Sequence, residues 1–258
     1  MSAVLEVDGI SLSFGGLRVL NEVSFALEPA SLLAIIGPNG AGKTSVFNCI
    51  NGVYRPFEGS IHLDGEEITG ARPASIAERG LARTFQNLAL FVNLDVVDNL
   101  MLGRHHLMKT GYWAGALWVG RAKREEHVHR ARCHELIDLL ELGDHVGRPV
   151  GLLPYGVQKR IEFGRAVAME PKVLLLDEPV AGMNVEETEV MAGDITSVRE
   201  ELGMAMIMVE HDMQLVMGLA EQIVCLSFGE VIATGDPATV AADPEVIAAY
   251  LGTPEDAV

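Results

Sequence analysis

The chain has 258 residues, with 36 acidic side chains against 19 basic ones and a formal net charge of −17 at pH 7. That length supplies core for a single α/β domain carrying an inserted lobe, and the acidic balance opposes broad contact with a phosphate backbone, which sets nucleic acid aside as a partner. Cys49, Cys133 and Cys225 are widely spaced, odd in number and not arranged as a metal set, as in a protein of the reducing cytoplasm.

In chain order, Leu5/Val7, Ile10/Leu12/Phe14 and Val23/Phe25/Leu27 alternate in the manner of half-buried strands, broken by Gly15-Gly16 and Pro29, and predict an antiparallel edge sheet. The apolar run from 31 to 36 enters Gly37-Pro38-Asn39-Gly40-Ala41-Gly42-Lys43-Thr44-Ser45, the spacing of a phosphate-binding loop between a strand and a helix over 43–50. A turn-and-strand unit follows at 58–65. Residues 87–151 carry helical spacing, clearest at Leu136, Ile137, Leu139 and Leu140, and read as an inserted helical lobe. Within it the stretch 110–120, with Trp113 and Trp118, falls short of the ~18–20 apolar residues that cross a bilayer, and the N-terminus shows no secretory signal. A membrane role is therefore expected through a partner. Val173-Leu174-Leu175-Leu176 and Met206-Ile207-Met208-Val209 are continuous apolar runs, as in parallel strands covered on both faces. A last helix is signalled by Asp243, Pro244 and Gly252.

The chemistry follows from the loop. Its glycines let successive N–H groups point at one anion while the helix N-terminus adds positive charge; Lys43 then reaches the β- and γ-phosphates and Thr44 offers its hydroxyl to Mg²⁺. Phosphoryl transfer to water also needs an acid for the metal and a group that activates the water. Asp177 suits the first role and Glu178 the second, the two pointing opposite ways if the strand persists. Alone, an Asp-Glu pair after a strand reads equally well as the start of a solvated loop; joined to Lys43 it reads as part of the nucleotide site.

These residues, in this order, resemble the ATP-binding subunit of an ABC transporter over essentially the whole chain: the loop at 37–44, Gln86 in Arg83-Thr84-Phe85-Gln86, the signature segment Leu153-Pro154-Tyr155-Gly156-Val157-Gln158, Asp177-Glu178 and His211. The resemblance implies a RecA-like parallel sheet with an antiparallel β edge and an inserted α-helical subdomain, divided as 1–87 with 162–242, then 88–161, and a C-terminal helix and tail at 243–258. It implies that Phe14 stacks on adenine, that Gln86 watches Mg²⁺ and water from a hinge, and that His211 contacts the γ-phosphate. It also implies that two ATPases dock head to tail, so that residues 153–158 face the partner's nucleotide. A groove for a permease helix is expected at Leu88, Leu90, Phe91, Val92 and Leu94.

The signature departs from Leu-Ser-Gly-Gly-Gln. Pro154 stands for the serine, Tyr155 for the first glycine and Val157 for the glutamine, and Asn184 stands where aspartate is common. Pro154 has no donor for a partner's phosphate, which favours a heterodimer, whose second ATPase supplies an intact signature, over the alternative of a homodimer. Within the family the chain is most similar to the larger ATPase of branched-chain amino-acid uptake systems, expected on the inner face of the membrane beside two permeases, with a solute-binding protein involved indirectly. Urea or amide importers and lipopolysaccharide-type exporters share parts of the pattern. A soluble cassette acting on nucleic acid is disfavoured by the charge and the single cassette.

Overall fold

The computed structural model describes residues 3–84, 88–108 and 121–251. Gln86, the stretch 110–120 and Gly252 lie outside the described residues.

The first layer is the predicted antiparallel sheet. Strands β1 (Leu5–Phe14) and β2 (Leu17–Leu27) form a hairpin across Gly15-Gly16, and β4 (Glu58–Leu63) and β5 (Glu66–Glu67) extend it in the order β2-β1-β4-β5. The second layer is a six-stranded sheet with the order β10-β9-β3-β8-β7-β6, built from β3 (Leu32–Ile36), β6 (Leu81–Arg83), β7 (Val173–Asp177), β8 (Ala205–Val209), β9 (Gln222–Ser227) and β10 (Glu230–Gly235). Its strands run parallel except β10, which returns antiparallel on β9.

The helices are α1 (Lys43–Ile50), α2 (Pro73–Glu78), α3 (Val96–Gly103), α4 (Arg121–Leu139), α5 (Tyr155–Val167), α6 (Val185–Leu202), α7 (Met213–Leu219), α8 (Pro237–Ala241) and α9 (Pro244–Leu251). Period-two alternation splits the core across the parallel sheet. Leu33, Ile35, Leu175 and Ile207 pack with the antiparallel layer and Phe47 of α1, whereas Leu32, Ile36, Leu176 and Met208 pack with α3, α5 and α6 through Leu100, Phe163 and Ile195. Strands buried on both faces must be apolar throughout, and β3, β7 and β8 are wholly buried.

The expected lobe boundary between 161 and 162 falls inside α5, which runs unbroken from Tyr155 to Val167. Arg160 on that helix pairs with the buried carboxylate of Asp194 on α6, Nε to Oδ2 at 2.6 Å, and also donates to the carbonyl of Leu140 at the end of α4. One guanidinium thus ties the helical half to the sheet's covering helix. Among the described residues no helix is long and apolar enough to cross a membrane.

Candidate functional site

Register brings the loop, Glu178 and His211 to one edge. Ile35 pairs with Val209, and Val209 pairs with Asp177, so the loop at 37, the pair Glu210-His211 and Glu178 all leave the carboxyl ends of adjacent strands that stand ~4.8 Å apart. Open α/β sheets bind ligands at this kind of edge.

The loop is bare backbone by necessity. Gly37 leaves β3 at φ +146°, where an added Cβ would lie 2.1 Å from the carbonyl oxygen of Leu226; Gly42 has φ +105°, with its Cβ position 2.8 Å from Leu20 Cδ2. Gly42 is also the N-cap of α1, which has no side-chain cap and no acidic residue in its first turn. The orphan N–H groups and positive end of that helix therefore open toward the loop, a setting that suits an anion. Ala41 N donates to Pro38 O at 3.2 Å, and Gly229 N, from the β9–β10 turn, donates to Ala41 O at 3.0 Å. Lys43 Nζ donates to the carbonyls of Gly37 at 2.5 Å and Pro38 at 3.0 Å. Burial pushes the Lys43 ammonium below the ordinary lysine range, while the charge of Glu178 pulls it back. Asn39, Gly40 and Thr44 are exposed, and Ser45 is half-buried.

Asp177 ends β7, buried, with Oδ2 2.6 Å from Arg83 Nη2. Arg83 in turn donates from Nη1 to Asn48 Oδ1 of α1 at 2.8 Å and lies over the Phe47 ring, 5.6 Å from its centroid. Sequence reasoning missed this clamp on the acid. Its signal was a lone guanidinium closing the short buried strand Leu81-Ala82-Arg83. The expected alternation past Asp177 needs correction, because the strand stops there. Glu178 takes the left-handed conformation at φ +47° while its N–H still donates to Val209 O at 2.9 Å. Such a backbone costs ~1–3 kcal/mol and concentrates at functional positions.

The Thr44 hydroxyl and the Asp177 carboxylate are hard oxygen donors. They fit Mg²⁺, which takes few protein ligands and completes its shell with water and phosphate oxygens.

His211 is exposed, with Nδ1 3.6 Å from Glu210 Oε2. Glu210, fully buried, accepts from the backbone N–H of His211 at 2.9 Å, Asp212 at 3.3 Å and, through its other oxygen, Val180 at 3.2 Å. It fixes the His211 turn against the loop that follows Glu178. Phe14 is 47% exposed and rests edge-on against Tyr54, centroids 5.0 Å apart.

The segment 153–158 lies elsewhere, and its Tyr155 and Gly156 meet residues 181–187. Pro154 is the N-cap of α5 and brings no side-chain cap. Tyr155 donates its hydroxyl to Ala181 O at 3.1 Å, and Gln158 Nε2 donates to Leu153 O at 2.8 Å. Gly156 is bare because a Cβ would lie 2.5 Å from Glu187 Oε1, and Glu187 closes a capping box with Asn184 at the start of α6. Val157 is half-buried and packs on the core. The hydroxyl hydrogen of Tyr155 is thus committed within its own chain, and Asn184 is a helix cap.

Residues 20–181 match the family model of the ABC transporter, and residues 230–256 match that of the branched-chain amino acid ATP-binding cassette transporter. The chain belongs to the ABC transporter ATPases. It is 40% identical over 249 residues to the high-affinity branched-chain amino acid transport ATP-binding protein BraF of Pseudomonas aeruginosa, covering 96% of this chain and 98% of that one. It is 38% identical to the corresponding LivG protein of Escherichia coli over the same shares. Among solved structures, the ADP conformation of MJ1267, an ATP-binding cassette of an ABC transporter, superposes with a TM-score of 0.84 at 26% identity, covering 98% of this chain and 100% of that one.

The predicted fold class therefore holds, and this ABC ATPase is an ATP-binding, ATP-hydrolysing enzyme. Its helical half exposes Phe91 (57%), Val92 (52%) and Leu152 (74%) together, linked where Gly151 N donates to Val92 O at 2.9 Å. Of the other side chains expected to line a groove, Leu88, Leu90 and Leu94 are half-buried, and Leu90 packs on the core.

Proposed function

We propose that this ABC ATPase powers an importer of branched-chain amino acids, working beneath two permease subunits on the inner face of the membrane. Full-length similarity to BraF and LivG, joined to the C-terminal match at 230–256, carries the solute class.

In the proposed cycle residues 37–45 cradle the β- and γ-phosphates, and Lys43 exchanges the carbonyls of Gly37 and Pro38 for phosphate oxygens. Thr44 and Asp177, with Gln86, hold Mg²⁺, whose charge offsets that developing on the transferred phosphoryl group. Glu178 takes the proton of the attacking water, His211 contacts the γ-phosphate, and Phe14 stacks on adenine. Residues 153–158 face the nucleotide of a second ATPase, and ATP closes the pair. Because Pro154 lacks a donor and Tyr155 spends its hydroxyl hydrogen on Ala181, this chain offers little to the partner's γ-phosphate. The pairing that suits it is a heterodimer, in which the second ATPase brings an intact signature to Lys43 and Glu178. The exposed Phe91, Val92 and Leu152 form the apolar surface for a permease helix.

Reconstitution tests the reading. Proteoliposomes holding the permeases and both ATPases take up labelled leucine only with ATP and solute-binding protein, and omission of the second ATPase abolishes uptake. Uptake of urea without leucine, or activity from this chain as sole ATPase, would sink the solute assignment and the heterodimer respectively.

A further inference from the structure

The N–H of Gly37 sits at an awkward place. The parallel ladder between β3 and β9 ends at Ile36 and Cys225, yet Gly37 is still buried, and a buried peptide donor needs a partner. That partner is the hydroxyl of Tyr250, 213 positions later, at 2.8 Å. Tyr250 lies in the last turn of α9. A cavity of about 570 Å³, lined by Pro38, Gly40, Phe228 and Ala248 among others, lies between the body of that helix and the loop, and the phenol is a polar link across it.

We propose that Tyr250 is a positioning residue of the phosphate loop, through which the C-terminal helix sets the affinity for ATP. Lys43 holds the carbonyl of Gly37 and must let it go to reach a phosphate. With the N–H of the same residue pinned from outside, the strand-to-loop corner keeps its shape as the lysine moves. Loss of the phenol oxygen frees that corner, and ordering it again is then charged to nucleotide binding. The inference rests on residues 37–45 being the nucleotide cradle.

The test uses the full-length protein and three readouts: steady-state ATPase activity, titration with a fluorescent ATP analogue, and amide hydrogen exchange. One neutral hydrogen bond is worth about a three- to tenfold change in an equilibrium. Tyr250→Phe, which keeps the ring, is expected to raise KM for ATP and the Kd of the analogue by about that factor, to leave kcat within about twofold, and to speed exchange at the Gly37 amide. Wild-type affinity and exchange in Tyr250→Phe would overturn the proposal, as would a fall in kcat with KM unmoved. Lys43→Ala separates the two layers. If it leaves analogue binding intact, the cradle reading itself fails; if it abolishes binding while Tyr250→Phe behaves as wild type, only the role of Tyr250 falls.

Discussion

The Asp177 carboxylate is buried, and Arg83 pairs with it from a fixed direction because Asn48 and the Phe47 ring hold the guanidinium in place. One carboxylate oxygen is occupied by that pair, which orients the other. Glu178 differs in kind: half-buried, it sits on a strained backbone. Adjacent carboxylates thus differ in their surroundings, Asp177 clamped by Arg83 and Glu178 carried on the left-handed turn beyond it. Glu178→Gln keeps the side chain's shape while removing the proposed base. The variant is expected to bind ATP with wild-type affinity and to hydrolyse it ~10²–10⁴ times more slowly, as single-turnover phosphate release would show. Hydrolysis at the wild-type rate would remove Glu178 from the mechanism.

At the scale of elements, α5 and α6 start against each other. Glu187 accepts the N–H of Asn184 at 3.0 Å, Asn184 returns the bond to the Glu187 N–H at 3.0 Å, and the same carboxylate fills the space where Gly156 lacks a Cβ. Gly156→Ala must push the Glu187 carboxylate off the Asn184 N–H, and loss of one such hydrogen bond costs about 0.5–1.5 kcal/mol. In Glu187→Ala the obstructing carboxylate is gone and most of that cost disappears. Urea unfolding of both single variants and the double is expected to give a coupling of about 1 kcal/mol, whereas additive losses would show that the glycine answers to something else. This junction was not legible in the sequence. The start of α6 reads Val185-Glu186-Glu187-Thr188-Glu189, where charge hides the apolar stripe of Met191, Ile195 and Val198, and the tie between Tyr155 and Ala181 spans 26 positions. Strands β3, β7 and β8 were legible for the opposite reason, since burial on both faces leaves uninterrupted apolar runs. Within the site the glycine loop and the acidic pair announced themselves by local spacing. Arg83 could not, because its meaning lies in Asp177, 94 positions away, and Glu210 acts on Val180 across 30.

Among the described residues the core lies in two parts divided by one sheet, and the three thiols report on both. Cys49 lies in the core beneath the antiparallel layer, while Cys133 and Cys225 lie in the core shared with the helices. Burial pushes Cys49 up to about 12 and Cys133 and Cys225 up to about 11. The sign of the consequence follows from proton counting. Below pH ~8.5, the ordinary thiol value, folded and unfolded chains both carry thiols, and the contribution to stability is fully present. Above it the unfolded chain releases protons that the folded chain keeps, so stability falls as pH rises through the folded values, by up to about 1.4 kcal/mol per pH unit for each thiol. Lysine and tyrosine titrate in the same window, but they do so equally in a variant that lacks one thiol. Urea unfolding at pH 8, 9 and 10 is therefore expected to show a shallower decline for Cys49→Ala than for the wild type, whatever the cavity costs at pH 8. A thiol reagent at pH 8 should label none of the three in the native protein and all of them in urea. Parallel declines in the two proteins, or rapid labelling of native Cys49, would mean that the core beneath the antiparallel sheet admits water.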